Sequence, residues 1–316
     1  MKSSYHLPAR YLKCVMISLA TLVFISCEHR ELCYDHTHWL DLRLEFDWTK
    51  EPDATPRTMV VYLFPKDGGE PQRYEMATIK GSIVRAPAGE YDAIAFNGET
   101  ERLVERGTGF DNFVLTTMDE PLLAPLGRNQ SNAPRPDGTE DEPVRSAAET
   151  VWSDKIEGVV IAPLVDGQKI RFTPIESTVT YKIKLVNTVN NSRSLELSAA
   201  LSTMSESYNI GHQSPVGQNV TVPFQLLPSG PDSFEGEITL FGHCPDGNKK
   251  MHYLTVYTSN KYYYNYDVTS QIHDAPDPHR ITIVIDGLKL PESSGTGMNP
   301  SVSDWTDIVD ENINMN

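Results

Sequence analysis

The sequence predicts an all-β chain of two tandem β-sandwich domains behind a cleaved lipoprotein signal peptide, and three observations carry that prediction. Apolar and polar residues alternate with period 2 in many short runs between Leu40 and Ile285. Gly, Pro, Asn and Asp fill nearly every gap between those runs, which is the punctuation of turns. After residue 27 no amphipathic helix of three turns stands out. Short strands with turn signals between them favour a sandwich over a helical or alternating βαβ fold.

The chain begins with Lys2, Arg10 and Lys13, without an acid among them, and continues into an uncharged apolar run over residues 14–25. That run is too short to span a bilayer and suits the apolar core of a signal peptide. Leu22-Val23-Phe24-Ile25-Ser26-Cys27, followed by Glu28-His29-Arg30-Glu31, resembles a bacterial lipobox, although Phe24 stands where Leu is usual. A small residue there precedes a cysteine that is acylated, with palmitate among such acyl groups, and becomes the first residue of the mature protein. Residues 1–26 are then the signal peptide, residues 27–38 a lipidated tether, and Cys27 the attachment to the membrane.

Removing the three basic residues of the leader takes the net charge from −16 to −19. Such a charge argues against nucleic acid as a partner, because phosphate binding needs clustered Lys and Arg that release counterions. Hydrophobic residues make up 39% of the chain, with 14 Tyr and 10 Phe, enough for a sizeable core. With Cys14 in the leader and Cys27 acylated, Cys33 and Cys244 remain; they could pair in an oxidising compartment but are no disulfide framework.

The first sandwich is expected over residues 39–173. Leu40, Leu42, Leu44, Phe46 and Trp48 alternate with Asp41, Arg43, Glu45 and Asp47, a strand with one buried face. Pro52 and Pro56 end it. Residues 59–64 are a continuous apolar run of strand length, turned by Pro65-Lys66-Asp67-Gly68-Gly69 into a second strand over residues 72–79. Strands follow at 83–86 and 91–96, and residues 115–126 are ambiguous. Residues 127–149 hold little to bury and read as a long exposed loop, with Arg128, Arg135 and Arg145 as expected sites of proteolytic nicking. A further strand at 159–162 leads to a boundary near Thr173-Pro174.

The second sandwich is expected over residues 174–290. Val179, Tyr181, Ile183 and Leu185 alternate with Thr180, Lys182 and Lys184, and further strands follow around Leu195–Leu201, Val220–Phe224, 234–241, 253–257 and Ile281–Ile285. Ser202 to Glu206 is expected to add one helical turn. The tail, residues 291–316, carries Val302 and Trp305 after a Gly/Ser-rich gap, as a short helix or a detachable strand.

Several of these stretches carry a resemblance. Cys27 to His36, Phe46-Asp47-Trp48, Pro87-Ala88-Gly89-Glu90-Tyr91, Phe241-Gly242, Tyr266-Asp267-Val268-Thr269 and Val302-Ser303-Asp304-Trp305 resemble fimbrillin-like lipoproteins of Gram-negative anaerobes, a group related to FimB-type anchor subunits of fimbriae. The resemblance implies transthyretin-like sandwiches, carriage to the outer membrane as a lipoprotein, and a role in anchoring or assembling fimbriae or in cell adhesion. The implied partners are the membrane through Cys27 and fimbrial subunits or other surface proteins. The resemblance leaves the periplasmic and cell-surface faces both open.

Sheet edges accept strands from neighbouring chains. The candidate assembly strands are the one containing Leu40, Leu42, Leu44, Phe46 and Trp48 and the tail with Val302 and Trp305; an ordinary intramolecular edge strand is the alternative for each. A lipid-anchored subunit would keep its first strand, since losing it severs Cys27 from the body.

Catalytic signatures are not found: no Gly-x-Ser-x-Gly, no His-Glu-x-x-His, no phosphate loop and no EF-hand series. The acids Asp304 and Asp307, or Glu140, Asp141 and Glu142, read as solvated surface rather than a glycosidase pair. The chain is therefore expected to be no enzyme, with no cofactor and no small-molecule substrate. Cys33, Asp35, His36, His38 and His29 form the densest group of ligand types, and His243-Cys244 could add to it; on a solvated tether they are expected to hold no metal. Tyr262, Tyr263, Tyr264 and Tyr266 suggest a sugar platform in which Tyr262 and Tyr264 share a face, against the commoner aromatic ladder across strands. Fimbrial anchoring or adhesion is thus the leading reading, and a surface glycan-binding lipoprotein the alternative.

Overall fold

The computed structural model describes residues 38–98, 101–129, 132–163, 167–189, 195–291 and 305–307. Cys27, Cys33, Asp35, His36, His29 and Val302 lie outside the described residues. Among the described residues no helix is long and apolar enough to cross a membrane.

The strands of the first half run β1 (Trp39–Phe46), β2 (Met59–Pro65), β3 (Gln72–Met76), β4 (Gly81–Pro87), β5 (Gly89–Asn97), β6 (Leu103–Arg106), β7 (Val114–Thr117), β8 (Trp152–Ile161), β9 (Lys169–Phe172) and β10 (Ile175–Glu176). Eight of them build one sheet of order β4-β1-β9 and another of order β10-β8-β5-β2-β3, while β6 and β7 join the sheet of the second half. The two sheets share a core of Leu42 and Leu44 from β1, Val61 and Leu63 from β2, and Ile170 and Phe172 from β9. The period-2 pattern of β1 appears directly in its burial: Leu42 and Leu44 are fully covered while Asp41 and Arg43 face water.

The continuous apolar run of β2 has a different cause, burial on both faces. Met59, Val61 and Leu63 enter the sandwich core. Val60 and Phe64 point the other way, into a second cluster with Phe96, Phe113, Tyr208 and Phe241. That cluster joins the two halves of the chain.

The second half contains β11 (Val179–Val186), β12 (Leu197–Asn209), β13 (Ser214–Pro228), β14 (Phe234–Leu240), β15 (Tyr253–Thr258), β16 (Tyr262–Asp267), the short helix α1 (Thr269–His273), β17 (Arg280–Asp286) and β18 (Thr306–Asp307). Its strand order is β17-β11-β14-β13-β12-β15-β16-β18. The long β13 serves two faces of the sandwich. It pairs with β12 along most of its length and reaches β14 only at Leu227 and Pro228. Between the faces lies a core containing Tyr181, Ile183, Leu201, Val222, Val256 and Ile283.

Three expectations need correction. The division near residue 173 does not separate the sheets cleanly: the β6–β7 hairpin pairs with the far end of β12, and β10 pairs back onto β8. The helical turn expected over residues 202–206 is instead a continuation of β12 through a bulge, with Thr203 at φ 67°. Finally, residues 127–149 are not an exposed loop. Residues 127–129 and 132–149 form a strap over the outer face of β12 and β15, burying Ala133 and Thr139 and covering Ala200 and Tyr257.

Polar contacts rather than apolar bulk hold the strap, which is why its composition hides it. Tyr257 donates its hydroxyl to the Pro134 carbonyl at 2.7 Å, and the backbone N–H of Ala148 donates to Thr239 at 2.9 Å. The three arginines expected to invite proteases are occupied. Arg128 donates to the Ser259 carbonyl, Arg135 to the Glu142 carbonyl, and Arg145 pairs with Asp119 and Glu206.

Candidate functional site

The first candidate assembly strand, β1, is not an edge. Its residues 39–45 pair antiparallel with β4, and its residues 43–46 pair parallel with β9. Phe46 stacks on Phe172 with centroids 5.9 Å apart, and Trp48 donates its indole N–H to the Ile79 carbonyl at 2.9 Å. Leu40 is half-buried against the same core. The notion of β1 as an accepting edge strand is corrected over residues 43–45, where both flanks are hydrogen-bonded within the chain; residues 39–42 pair with β4 alone. Removing it would open two ladders and the Leu42–Leu44 core together.

The tail behaves differently. β18 lies parallel to β16 and touches it at two positions, Thr306 opposite Tyr262 and Asp307 opposite Tyr263. Trp305 packs edge-on to Tyr257 and Tyr263, at 5.6 and 6.5 Å between centroids. Its partner in the expectation, Val302, lies outside the described residues.

The tyrosines do not form a sugar platform on the expected face. Tyr264 is 1% exposed within the sandwich core and donates its hydroxyl to the Lys289 carbonyl at 2.8 Å. Tyr262 is half-buried against the same core. The glycan contact expected of Tyr262 and Tyr264 is corrected on that ground, since a stacked sugar needs an open ring face. Alternation sends these two side chains inward because their face of β16 is the core face.

A cluster that the sequence did not assemble lies at one end of the second sandwich. His243 and Cys244 follow β14, His252 stands just before β15, and His273 ends α1. The Cys244 Sγ is 3.6 Å from His252 Nε2 and 3.9 Å from His273 Nε2, and the three ligand atoms all lie within 4.8 Å of one another. His243 closes the fourth side, with ring centroids 5.3 Å from His252 and 5.2 Å from His273. Its Nδ1 is 2.9 Å from the Tyr181 hydroxyl on β11.

Local structure fixes these positions. A bridge between Met204 and His243, and the Ser205 N–H donating to the Gly242 carbonyl, tie the His243 segment to the bulge in β12. Cys244 has φ 53°, a left-handed conformation uncommon for a residue with a side chain. The His252 N–H donates to Thr269 Oγ1 at 2.9 Å, joining β15 to α1. Burial, then the neighbouring His273, lowers the His243 pKa to about 4; burial, then His243 and His273, lowers that of His252 to about 4. Both rings are neutral at ordinary pH, as ligands must be. Of the residues the sequence singled out for metal that are described, His38 is exposed and distant in sequence, and His243-Cys244 lies at this cluster.

A model of a domain of unknown function, DUF5119, matches residues 26–225. The chain belongs to the DUF5119 family. A curated relative, the "Putative fimbrium anchoring subunit Fim4B" of Bacteroides ovatus, is 27% identical over 99 residues, which is 31% of this chain and 29% of that protein. The match thus spans less than a third of that relative's length. A solved "putative adhesin" from Bacteroides ovatus superposes with a TM-score of 0.60 at 17% identity, covering 85% of this DUF5119 chain and 98% of that one. A second solved structure, described as "putative polysaccharide binding proteins (DUF1812)" from Bacteroides thetaiotaomicron, has a TM-score of 0.52 at 11% identity, covering 78% and 91%. At these identities the likeness concerns the fold, and that fold is the all-β, double-sandwich architecture described above.

Proposed function

We propose that this DUF5119 protein is an outer-membrane lipoprotein, attached through an acylated Cys27, that anchors or joins fimbrial subunits or serves cell adhesion. The observation that carries the proposal is the double clamp on β1. The strand nearest the tether is held by β4 from Trp39 and by β9 as well from Arg43, so a load on the lipid meets one ladder and then two, in shear along the strand. The similarity to a fimbrium anchoring subunit supports the same reading.

In this reading the tail is the assembly element. Its two-residue pairing on β16 is the kind of attachment that can release, freeing the tail to add as a strand to another subunit. The glycan-binding alternative has lost the open aromatic face it required.

Two experiments test the proposal together. Membrane fractionation of Cys27→Ser should release the protein from the membrane fraction; unaltered retention overturns the lipid anchor. Capture of fimbrial subunits by the tagged full-length protein should fail when residues 301–316 are deleted; capture unaffected by the deletion overturns the role of the tail.

A further inference from the structure

We propose that Cys244, His252 and His273 bind one zinc ion, its fourth position open on the His273 side, as a structural staple at the end of the second sandwich. With Zn–S near 2.3 Å and Zn–N near 2.0–2.1 Å, a tetrahedral site places S and N ligands about 3.5–3.6 Å apart. The two sulfur–nitrogen distances are 3.6 and 3.9 Å. Two imidazoles bound to one tetrahedral ion have centroids about 5 Å apart, given the same bond lengths; those of His252 and His273 are 5.0 Å apart.

The donor set is also chemically consistent. One thiolate and imidazoles are borderline-soft ligands that suit zinc. His243 stands beside the three ligands rather than among them, its Nδ1 held by the Tyr181 hydroxyl at 2.9 Å. His252 is fully buried, its Nδ1 makes no hydrogen bond of good geometry, and its nearest polar surroundings are the backbone of Ser202 and Thr203 at the bulge. A buried imidazole placed this way next to a thiol has little value as packing.

One contact must change when the ion binds. His273 Nε2 lies 3.1 Å from the Lys250 carbonyl, and that hydrogen bond is exchanged for coordination. Binding also releases the Cys244 thiol proton to solvent. A surface cleft of about 480 Å³, lined by Lys250, Met251, Asp267, Ser270 and His273 among others, leads from solvent to the His273 side and supplies an entry path. The ion would tie together the segment after β14, the start of β15 and the end of α1, three pieces that no other covalent or metal link joins among the described residues. It would also hold the Cys244 thiolate out of disulfide exchange in an oxidising compartment.

The test uses purified full-length protein in detergent, stripped with a chelator and reloaded with zinc or cobalt(II). Zinc content should approach one per chain, and the cobalt form should show a thiolate-to-cobalt charge-transfer band in the near ultraviolet. Cys244→Ser, a conservative change at a half-buried position, should abolish that band and weaken binding. The wild-type cobalt spectrum reads the site without any variant, so a misfolded His252→Ala chain leaves the test intact. No bound zinc beyond that of Cys244→Ser, a wild type without the thiolate band, or a Cys244 already joined to Cys33 would each overturn the proposal.

Discussion

Gly81 lies so close to Leu44 that a Cβ built on it would fall 1.9 Å from the Leu44 carbonyl oxygen. The two residues sit where β1 and β4 end their ladder, Glu45 opposite Gly81 and Leu44 opposite Ser82. Gly81 also has φ 98°, outside the region open to residues with a side chain. A glycine is therefore what lets β4 begin flush against the strand nearest the tether.

The first prediction follows from that contact. Gly81→Ala should destabilise the protein by about 2 kcal/mol or more, since both the backbone conformation and the space forbid the methyl group. Denaturant unfolding monitored by circular dichroism measures the loss. A change below about 0.5 kcal/mol, the range of ordinary surface substitutions, would mean that the β1–β4 ladder is not built as described.

Glu142 supplies a second prediction. Its carboxylate accepts hydrogen bonds from the Thr203 backbone N–H at 3.0 Å and the Thr221 hydroxyl at 2.8 Å, fastening the strap to the bulge of β12 and to β13. Glu142→Ala leaves both donors without that partner and should cost about 1–3 kcal/mol. Trypsin, which should spare Arg145 in the native protein, should then cut after it; Arg135 precedes Pro136 and is no trypsin site in either protein. Equal cleavage of both proteins would show that the strap is open from the start.

What the sequence reveals of this fold depends on how simple each residue's surroundings are. Leu42 and Leu44 are legible because β1 buries one face only, and Met59 to Phe64 because β2 buries two with large apolar side chains. β12 also buries both faces, but with Ser198, Ala200 and Ser202 outward beneath the strap, so small and polar residues there imitate a turn or a helix. The strap itself is missed because its attachments are hydrogen bonds such as those of Glu142 and Arg145, which no hydropathy pattern records. The cluster of Cys244, His252 and His273 has no short ligand spacing; only the pairing of β15 with β12 and the placement of α1 bring the three together.

Asp154 gives a pH dependence with a defined sign. Burial raises its pKa above 3.8, against the opposing donation of the Thr173 and Lys155 backbone N–H groups at 2.6 and 2.8 Å. The folded protein thus holds the proton more tightly than the unfolded chain. Its contribution is full below pH 3.8 and is lost as the pH rises through the higher folded value. Compared with Asp154→Asn, which cannot titrate, the wild type should lose relative stability over that window and show a constant difference above it. Urea midpoints of both proteins across the acidic range provide the comparison, and a relative gain with rising pH would show that the two N–H donors outweigh burial.

Trp305 allows the attachment of the tail to be tested separately from its role. β18 is held by two paired positions, by the Thr306 N–H donating to the Lys261 carbonyl at 3.1 Å, and by Trp305 standing at 75° to both Tyr257 and Tyr263. Each aromatic pair is worth about 0.5–1.5 kcal/mol beyond the area it buries. Trp305→Ala should therefore speed hydrogen exchange at Thr306 and Asp307 by roughly fivefold or more. The global unfolding transition should move little, because Leu201, Val256 and the rest of the sandwich core do not depend on the tail. If the tail is the element that detaches and adds to a neighbouring subunit, the same variant should capture fimbrial subunits faster than the wild type, since less must be broken first. Faster exchange at residues 306 and 307 with unchanged capture would separate the two ideas, leaving β18 a weakly held strand with no part in assembly.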